Sequence, residues 1–235
     1  MKALLTIILS FVLSFGHAQT CTIQTESSNS FEKSFEEEIH TFLSLEFSIN
    51  GVSFKTSEGR KKTIPVNRNG FDTLRYSYIW KDQKFEEYSL CKFRPNEQYT
   101  ISPCTCCGIF LLTPKRKAER GFVKFINHSA NLYLGSVSEL DYDSIPANSH
   151  TEFIFSAISM NCGFRPSQIA VFAPEYANPE YQYKNLSRLS EPEKQALKAQ
   201  QQKLVKYDIP FLFIHGEKLI LTIEEGASQF KLELE

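Results

Sequence analysis

Leu43-Ser44-Leu45-Glu46-Phe47-Ser48-Ile49-Asn50-Gly51-Val52-Ser53-Phe54-Lys55-Thr56 is the stretch that decides the fold class. Leu43, Leu45, Phe47 and Ile49 alternate with Ser44, Glu46 and Ser48, the two-residue period of a strand with one buried face. An Asn-Gly pair follows, and these residues tolerate the two positive φ angles of a type I′ turn, whose twist matches paired strands. Val52 and Phe54 then resume the alternation. Two-residue closure sets Ile49 opposite Val52 and Phe47 opposite Phe54, so the segment predicts a β-hairpin with one apolar face.

The same grammar recurs outward from it. After Asn69-Gly70, the residues Leu74, Tyr76, Tyr78 and Trp80 take every other position, as in a strand with an aromatic inner face. Tyr88 to Phe93, Gln98 to Ile101, Ile109 to Leu112, Phe122 to Ile126, Leu132 to Leu134, Glu152 to Ser159 and Gln168 to Phe172 are further short strand candidates. Leu219, Leu221 and Ile223, then Glu225-Gly226, then Phe230, Leu232 and Leu234 predict a closing hairpin. One helix signal stands apart: Ser190 and Glu193 have capping-box spacing, Pro192 lies in the first turn, and sparse apolar residues follow, which predicts a surface helix near 191–206. A second, acidic helix is expected between Phe31 and His40. Strands at short intervals with turn residues between them indicate a mainly β protein, an antiparallel β-sandwich of one or two units. Thr113-Pro114-Lys115-Arg116-Lys117-Ala118-Glu119-Arg120-Gly121 reads as an exposed basic connection (113–121) between an N-terminal β unit, 19–113, and a C-terminal one, 121–235.

Phe93-Arg94-Pro95-Asn96-Glu97-Gln98-Tyr99-Thr100-Ile101 resembles the apolar-x-Pro-x-x-x-Tyr-x-apolar segment of fibronectin type III and related immunoglobulin-like sandwiches. The resemblance implies that Tyr99 is structural, its hydroxyl bonded to nearby backbone, and that the strand ending at Trp80 is an inner strand. It departs from that pattern where a Cys-rich stretch follows at once, and it implies a fold rather than an activity.

Composition narrows function mainly by exclusion. The 235 residues carry 26 Lys plus Arg against 27 Asp plus Glu, so no basic field favours nucleic acid. No two glycines stand as G-x-G, which removes the dinucleotide fingerprint, and no G-x-S-x-G or H-x-x-x-H pattern occurs. The opening residues, one lysine followed by an apolar run from Ala3 to Phe15 and then Gly16-His17-Ala18, have the form of a secretory signal peptide (1–18) cleaved after Ala18. That predicts a secreted or periplasmic product with no transmembrane segment after cleavage.

Export and an even cysteine count favour disulfides among Cys21, Cys91, Cys104, Cys106, Cys107 and Cys162. The alternative is a thiolate metal site for zinc or copper(I) built from Cys104, Cys106 and Cys107 with Cys91, because soft ions prefer sulfur ligands. No other cofactor is suggested. Asp141-Tyr142-Asp143 lacks the glycine and terminal glutamate of a calcium loop. Asn127-His128-Ser129 and Asn185-Leu186-Ser187 have the form of glycosylation sequons. His215, in Ile214-His215-Gly216, is expected at a strand end. Tyr176, Tyr181 and Tyr183 fall in the Pro- and Asn-punctuated loop 174–188, either as a ligand surface or as a lid over the sheets. The resulting expectation is an exported, non-catalytic binding or adhesion-type protein whose partner is a protein or glycan, with the thiolate metal protein as the alternative.

Overall fold

The computed structural model describes residues 19–25, 45–59, 61–103, 110–115, 121–137, 142–155, 167–177, 189–226 and 229–235. The signal segment, the acidic stretch 31–40, Cys104, Cys106, Cys107, Cys162, Tyr181 and Tyr183 lie outside the described residues. The strands before the basic connection are β1 (Thr20–Thr25), β2 (Glu46–Ile49), β3 (Val52–Lys55), β4 (Lys61–Pro65), β5 (Asp72–Trp80), β6 (Gln83–Cys91), β7 (Gln98–Pro103) and β8 (Phe110–Pro114). Those after it are β9 (Gly121–Asn127), β10 (Tyr133–Val137), β11 (Tyr142–Ile145), β12 (Ser149–Phe155), β13 (Ser167–Phe172), β14 (Val205–Leu212), β15 (Lys218–Ile223) and β16 (Phe230–Leu234), with α1 (Glu191–Leu204) between β13 and β14. No helix among the described residues is long and apolar enough to cross a membrane.

The expected hairpins form in the expected register. Asn50 (φ 48°) and Gly51 (φ 85°) both occupy the left-handed region, and Ile49 faces Val52 while Phe47 faces Phe54. The Phe47 and Phe54 rings stack with centroids 5.4 Å apart. At the other end of the chain Leu219, Leu221 and Ile223 face Leu234, Leu232 and Phe230. α1 begins where its sequence signal lies, with the Glu193 carboxylate accepting from Ser190 N at 2.8 Å, and only Gln201 of the helix is buried.

The strands form three sheets, ordered β4-β1-β7-β8, β11-β10-β13-β14-β6-β5-β2-β3 and β12-β9-β15-β16. The second eight strands repeat the first eight. In one half β1 pairs antiparallel with β4 and parallel with β7; in the other β9 does the same with β12 and β15. Likewise β2 lies between β3 and β5 as β10 lies between β11 and β13, and β6 and β14 close the two four-stranded halves of the central sheet. Each half is thus a four-on-four sandwich of one common topology. Three pairings, β1 with β7, β9 with β15 and β6 with β14, are parallel within a mainly antiparallel β architecture. Parallel neighbours are joined by long crossovers rather than hairpins, so local turn signals do not reveal them.

Equivalent edges β6 and β14 pair parallel, at Leu90 with Phe211 and Cys91 with Leu212. Equivalent strands side by side and parallel are related by a two-fold axis running along them, and that rotation turns the second unit over. Sheet β4-β1-β7-β8 therefore covers one face of the central sheet at one end, and sheet β12-β9-β15-β16 covers the opposite face at the other. Ring contacts agree: Phe110 of β8 meets Phe47 and Tyr76 at 5.0 Å on one side, while Phe230 of β16 stacks on Tyr207 of β14 at 5.4 Å on the other. A single buried core runs through both units, from Cys21 and Ile23 to Leu221 and Ile223.

Candidate functional site

The two-fold arrangement leaves each unit with one outer face of the central sheet uncovered by another sheet, and the chain treats the two differently. In the second unit that face carries Leu134, Ser136, Ala170 and Phe172, all buried. The described turn that follows β13 packs against it. Tyr176, in a 3₁₀ turn at Pro174–Ala177, stacks on Phe172 at 4.1 Å and meets Tyr142 edge-on at 6.1 Å, and Ala173 N donates to Leu204 O at the end of α1. Of the loop tyrosines, Tyr176 thus packs back on the sheet. Asn127, first residue of one sequon, is fully buried, and its Nδ2 donates to Asn131 O at 2.8 Å and Pro146 O at 2.9 Å, which makes it a structural clasp.

In the first unit the corresponding connection, β5 to β6, is a two-residue turn at Lys81 (φ 48°) and Asp82 (φ 61°), with Trp80 facing Gln83. Nothing in it reaches back over the sheet. The outer positions that line this face are Glu46 and Ser48 on β2, Ser53 and Lys55 on β3, Arg75 and Ser77 on β5, and Lys84, Glu86 and Tyr88 on β6, with exposed Ile79 beyond Ser77 on the same side. The twist of the four strands makes this face a groove of about 590 Å³.

Its charges are mostly internally matched. Glu46 and Lys55 meet at 2.5 Å, and Lys84 and Glu86 at 2.7 Å. The hydrogen bond within each pair holds the carboxyl below its ordinary pKa and the ammonium above its own. Arg75, directly across from Tyr88, holds its guanidinium 5.9 Å from that ring's centroid. It is the one cation on this floor without a carboxylate partner among the described residues. Tyr88 is 42% exposed. On the inner side of the same strands Glu87 accepts from the hydroxyls of Tyr76 (2.6 Å) and Tyr78 (2.9 Å), so that carboxylate faces away from the groove.

A second polar cluster is buried at the junction of the units. Tyr99 on β7 is fully buried; its oxygen accepts from Arg94 N at 2.8 Å and lies 2.6 Å from His215 Nε2. Arg94 Nη2 donates to His215 O at 3.3 Å. Glu217 accepts from the backbone N–H groups of Ile214 (2.9 Å) and His215 (3.1 Å); burial raises its pKa against the pull of these donors and of Arg94. Burial likewise raises the phenol pKa of Tyr99. These contacts tie the β6–β7 loop to the β14–β15 loop, its counterpart in the second unit. The cluster is a lock between halves: Tyr99, His215 and Glu217 are buried, Arg94 is exposed, and every named group is engaged by protein.

The disulfide expectation is overturned. Among the described residues, Cys21 and Cys91 are free, buried thiols and form no disulfide. Each takes an ordinary inward strand position, where a thiol packs as a small apolar group. Burial, with the Asp72 charge adding to it, pushes Cys21 up to about 12 and Cys91 well above the usual thiol value. Cys91 Sγ donates to Asp72 O at 3.7 Å, and the described residues contain no group of three His, Cys, Asp or Glu placed to hold a metal. A smaller recess of about 320 Å³ on β9 and β12 includes His128 and His150, but His128 Nδ1 pairs with Glu224 at 2.9 Å.

Arg75 and Tyr88 were the residues that sequence reasoning passed over. The signal was present in the strand parity: once Leu74 and Tyr76 point inward, Arg75 and Ser77 point out. What parity could not supply was the pairing of Arg75 with Tyr88, because the Lys81-Asp82 turn carries no glycine or asparagine to announce it. The fold and site together define a duplicated β-sandwich with one self-covered face and one open polar face. No protein-family model matches the chain, and no curated protein matches its sequence.

Proposed function

We propose that this chain is an exported, non-catalytic binding protein that takes its ligand on the open face of its first unit. One comparison within the molecule carries the reading: among the described residues, the same sheet face is apolar and packed against the chain's own 3₁₀ turn in the second unit, and polar, concave and without a covering element in the first. A face with no ligand is most simply closed in the same way as its twin. Export rests on the N-terminal sequence, from Lys2 through Ala18. The described residues bring together no nucleophile with a base and an orienting group in an accessible recess, and the two thiols in the core are held protonated.

The test places a bulky side chain at Ser77, in the floor of the groove. Wild-type protein and S77W are screened on arrays of oligosaccharides and peptides, with circular dichroism confirming that both fold. Wild-type signals that disappear in S77W support the reading. Signals that survive the block, or a wild type that binds nothing on either array, overturn it.

A further inference from the structure

We infer that the groove of the first unit recognises an acidic sugar: a carboxylate received by the Arg75 guanidinium, with the sugar ring lying along the exposed side of Tyr88. The inference rests on the groove being the binding face, and it adds the ligand class. Three observations carry it.

The first is charge. Two of the groove's outward carboxylates, Glu46 and Glu86, are each held by a lysine of the same face, and Glu58 at the rim is held by Lys62 at 3.0 Å. Among the described residues, Arg75 remains as a single cation without a carboxylate partner between two neutralised pairs. Its guanidinium lies 5.9 Å from the ring centroid of its cross-strand neighbour Tyr88. A guanidinium presents a planar fork that matches a carboxylate in two parallel hydrogen bonds. The flanking pairs Glu46 with Lys55 and Lys84 with Glu86 supply acceptors and donors for neutral hydroxyls without adding net charge.

The second is the kind of surface. Ser48, Ser53 and Ser77 put small hydroxyls between the charged pairs, and of the rings that line the groove Phe47, Phe54 and Tyr76 are buried while Tyr88 is exposed. This is a floor rich in short polar groups with a single aromatic platform. A hydroxyl-bearing ring with one apolar side fits it; an extended apolar peptide, which needs pockets for its side chains, does not.

The third is the backbone. β2 and β5 each lie between two hydrogen-bonded neighbours, so their N–H and C=O groups are already used in the sheet. A ligand over the floor must be read by side chains alone, which removes strand addition as the mode of binding there.

The experiment uses the full chain and two probes with one backbone, an oligogalacturonide and its methyl ester, which keeps the rings and removes the charge. Binding is followed by calorimetry and by the salt dependence of affinity. The acid form binds, esterification weakens it about tenfold or more, R75Q brings acid and ester to equal affinity, and R75K restores part of the difference without the full bidentate match. Y88A weakens both probes. Glucuronide and sulfated oligosaccharides, run alongside, show whether the selectivity is for carboxylate or for anions at large. If acid and ester bind equally in the wild type and both are lost in S77W, the acidic-sugar inference is wrong while the groove remains the binding face. If none of the acidic sugars binds and a peptide does, the inference is also wrong. If nothing binds at the groove by any probe, both it and the reading beneath it fall.

Discussion

Removing one oxygen from the junction of the two units should cost the whole molecule stability. Tyr99 is fully buried, and Tyr99→Phe keeps its ring, its edge-on contact with Phe93 at 4.8 Å and its contact with His215 at 5.5 Å. What goes is the hydroxyl that accepts from Arg94 N at 2.8 Å and lies 2.6 Å from His215 Nε2. Two hydrogen bonds at about 1 kcal/mol each, plus the desolvation of polar atoms deprived of a partner, give a loss of about 2–4 kcal/mol. For a chain of this size that corresponds to roughly 4–16 °C in Tm, at about 2–4 °C per kcal/mol. Urea unfolding of wild type and Y99F, followed by circular dichroism, measures the loss directly. Because the partners belong to different units, H215F and the double variant Y99F/H215F complete a double-mutant cycle, with an expected coupling of about 1–2 kcal/mol. A Y99F loss below about 0.5 kcal/mol, or a coupling near zero, would refute the view that this cluster binds the halves together.

Three further outcomes follow from the same structure. Cys21 and Cys91, buried and with raised pKa values, should resist iodoacetamide at pH 8 in the native protein and label fully in denaturant; native labelling at either site by peptide mapping would contradict the burial. Glu217 has a native pKa above its ordinary value, so the native state holds more protons than the unfolded chain in the interval between the two, and this group's contribution to stability falls as pH rises through that interval. E217Q, which retains an acceptor for the Ile214 and His215 N–H groups, should flatten that slope in a pH series of urea midpoints; an unchanged slope would show that the carboxyl is not its source. Asn50 combines a positive φ with bonds to Pro65 O at 2.8 Å and Asp72 Oδ1 at 2.6 Å, so N50A should cost about 2–3 kcal/mol, whereas G51A, strained at φ 85° but with open space around it, should cost about 1–2. Equal losses in the two variants would mean that backbone conformation alone sets the value.

The hairpin at Asn50-Gly51, the closing hairpin at Leu219 to Leu234 and the cap of α1 were legible because each is written within a few adjacent residues. Alternation, a turn pair and a capping box all act over distances shorter than ten residues, so local chemistry settles them. The disulfide expectation failed for a related reason: cysteine count and a signal peptide speak of compartment and not of position. Cys21 and Cys91 lie on strands whose inward faces place each thiol in the core without a sulfur partner.

By itself, then, the sequence determined the strands, their inward faces and the absence of familiar nucleotide and hydrolase signatures, because these depend on periodicity and short motifs. Only the tertiary structure decided that the two halves share one topology, that β6 and β14 meet parallel, and that Tyr99 reaches His215 across 116 positions. The open groove is a consequence of those long-range choices. The two-fold relation turns the second unit over, the turn Pro174–Ala177 packs on one outer face, and among the described residues the tight Lys81-Asp82 turn leaves the other open around Arg75 and Tyr88. Parity can say that a side chain points outward; what stands over it is set by parts of the chain far away.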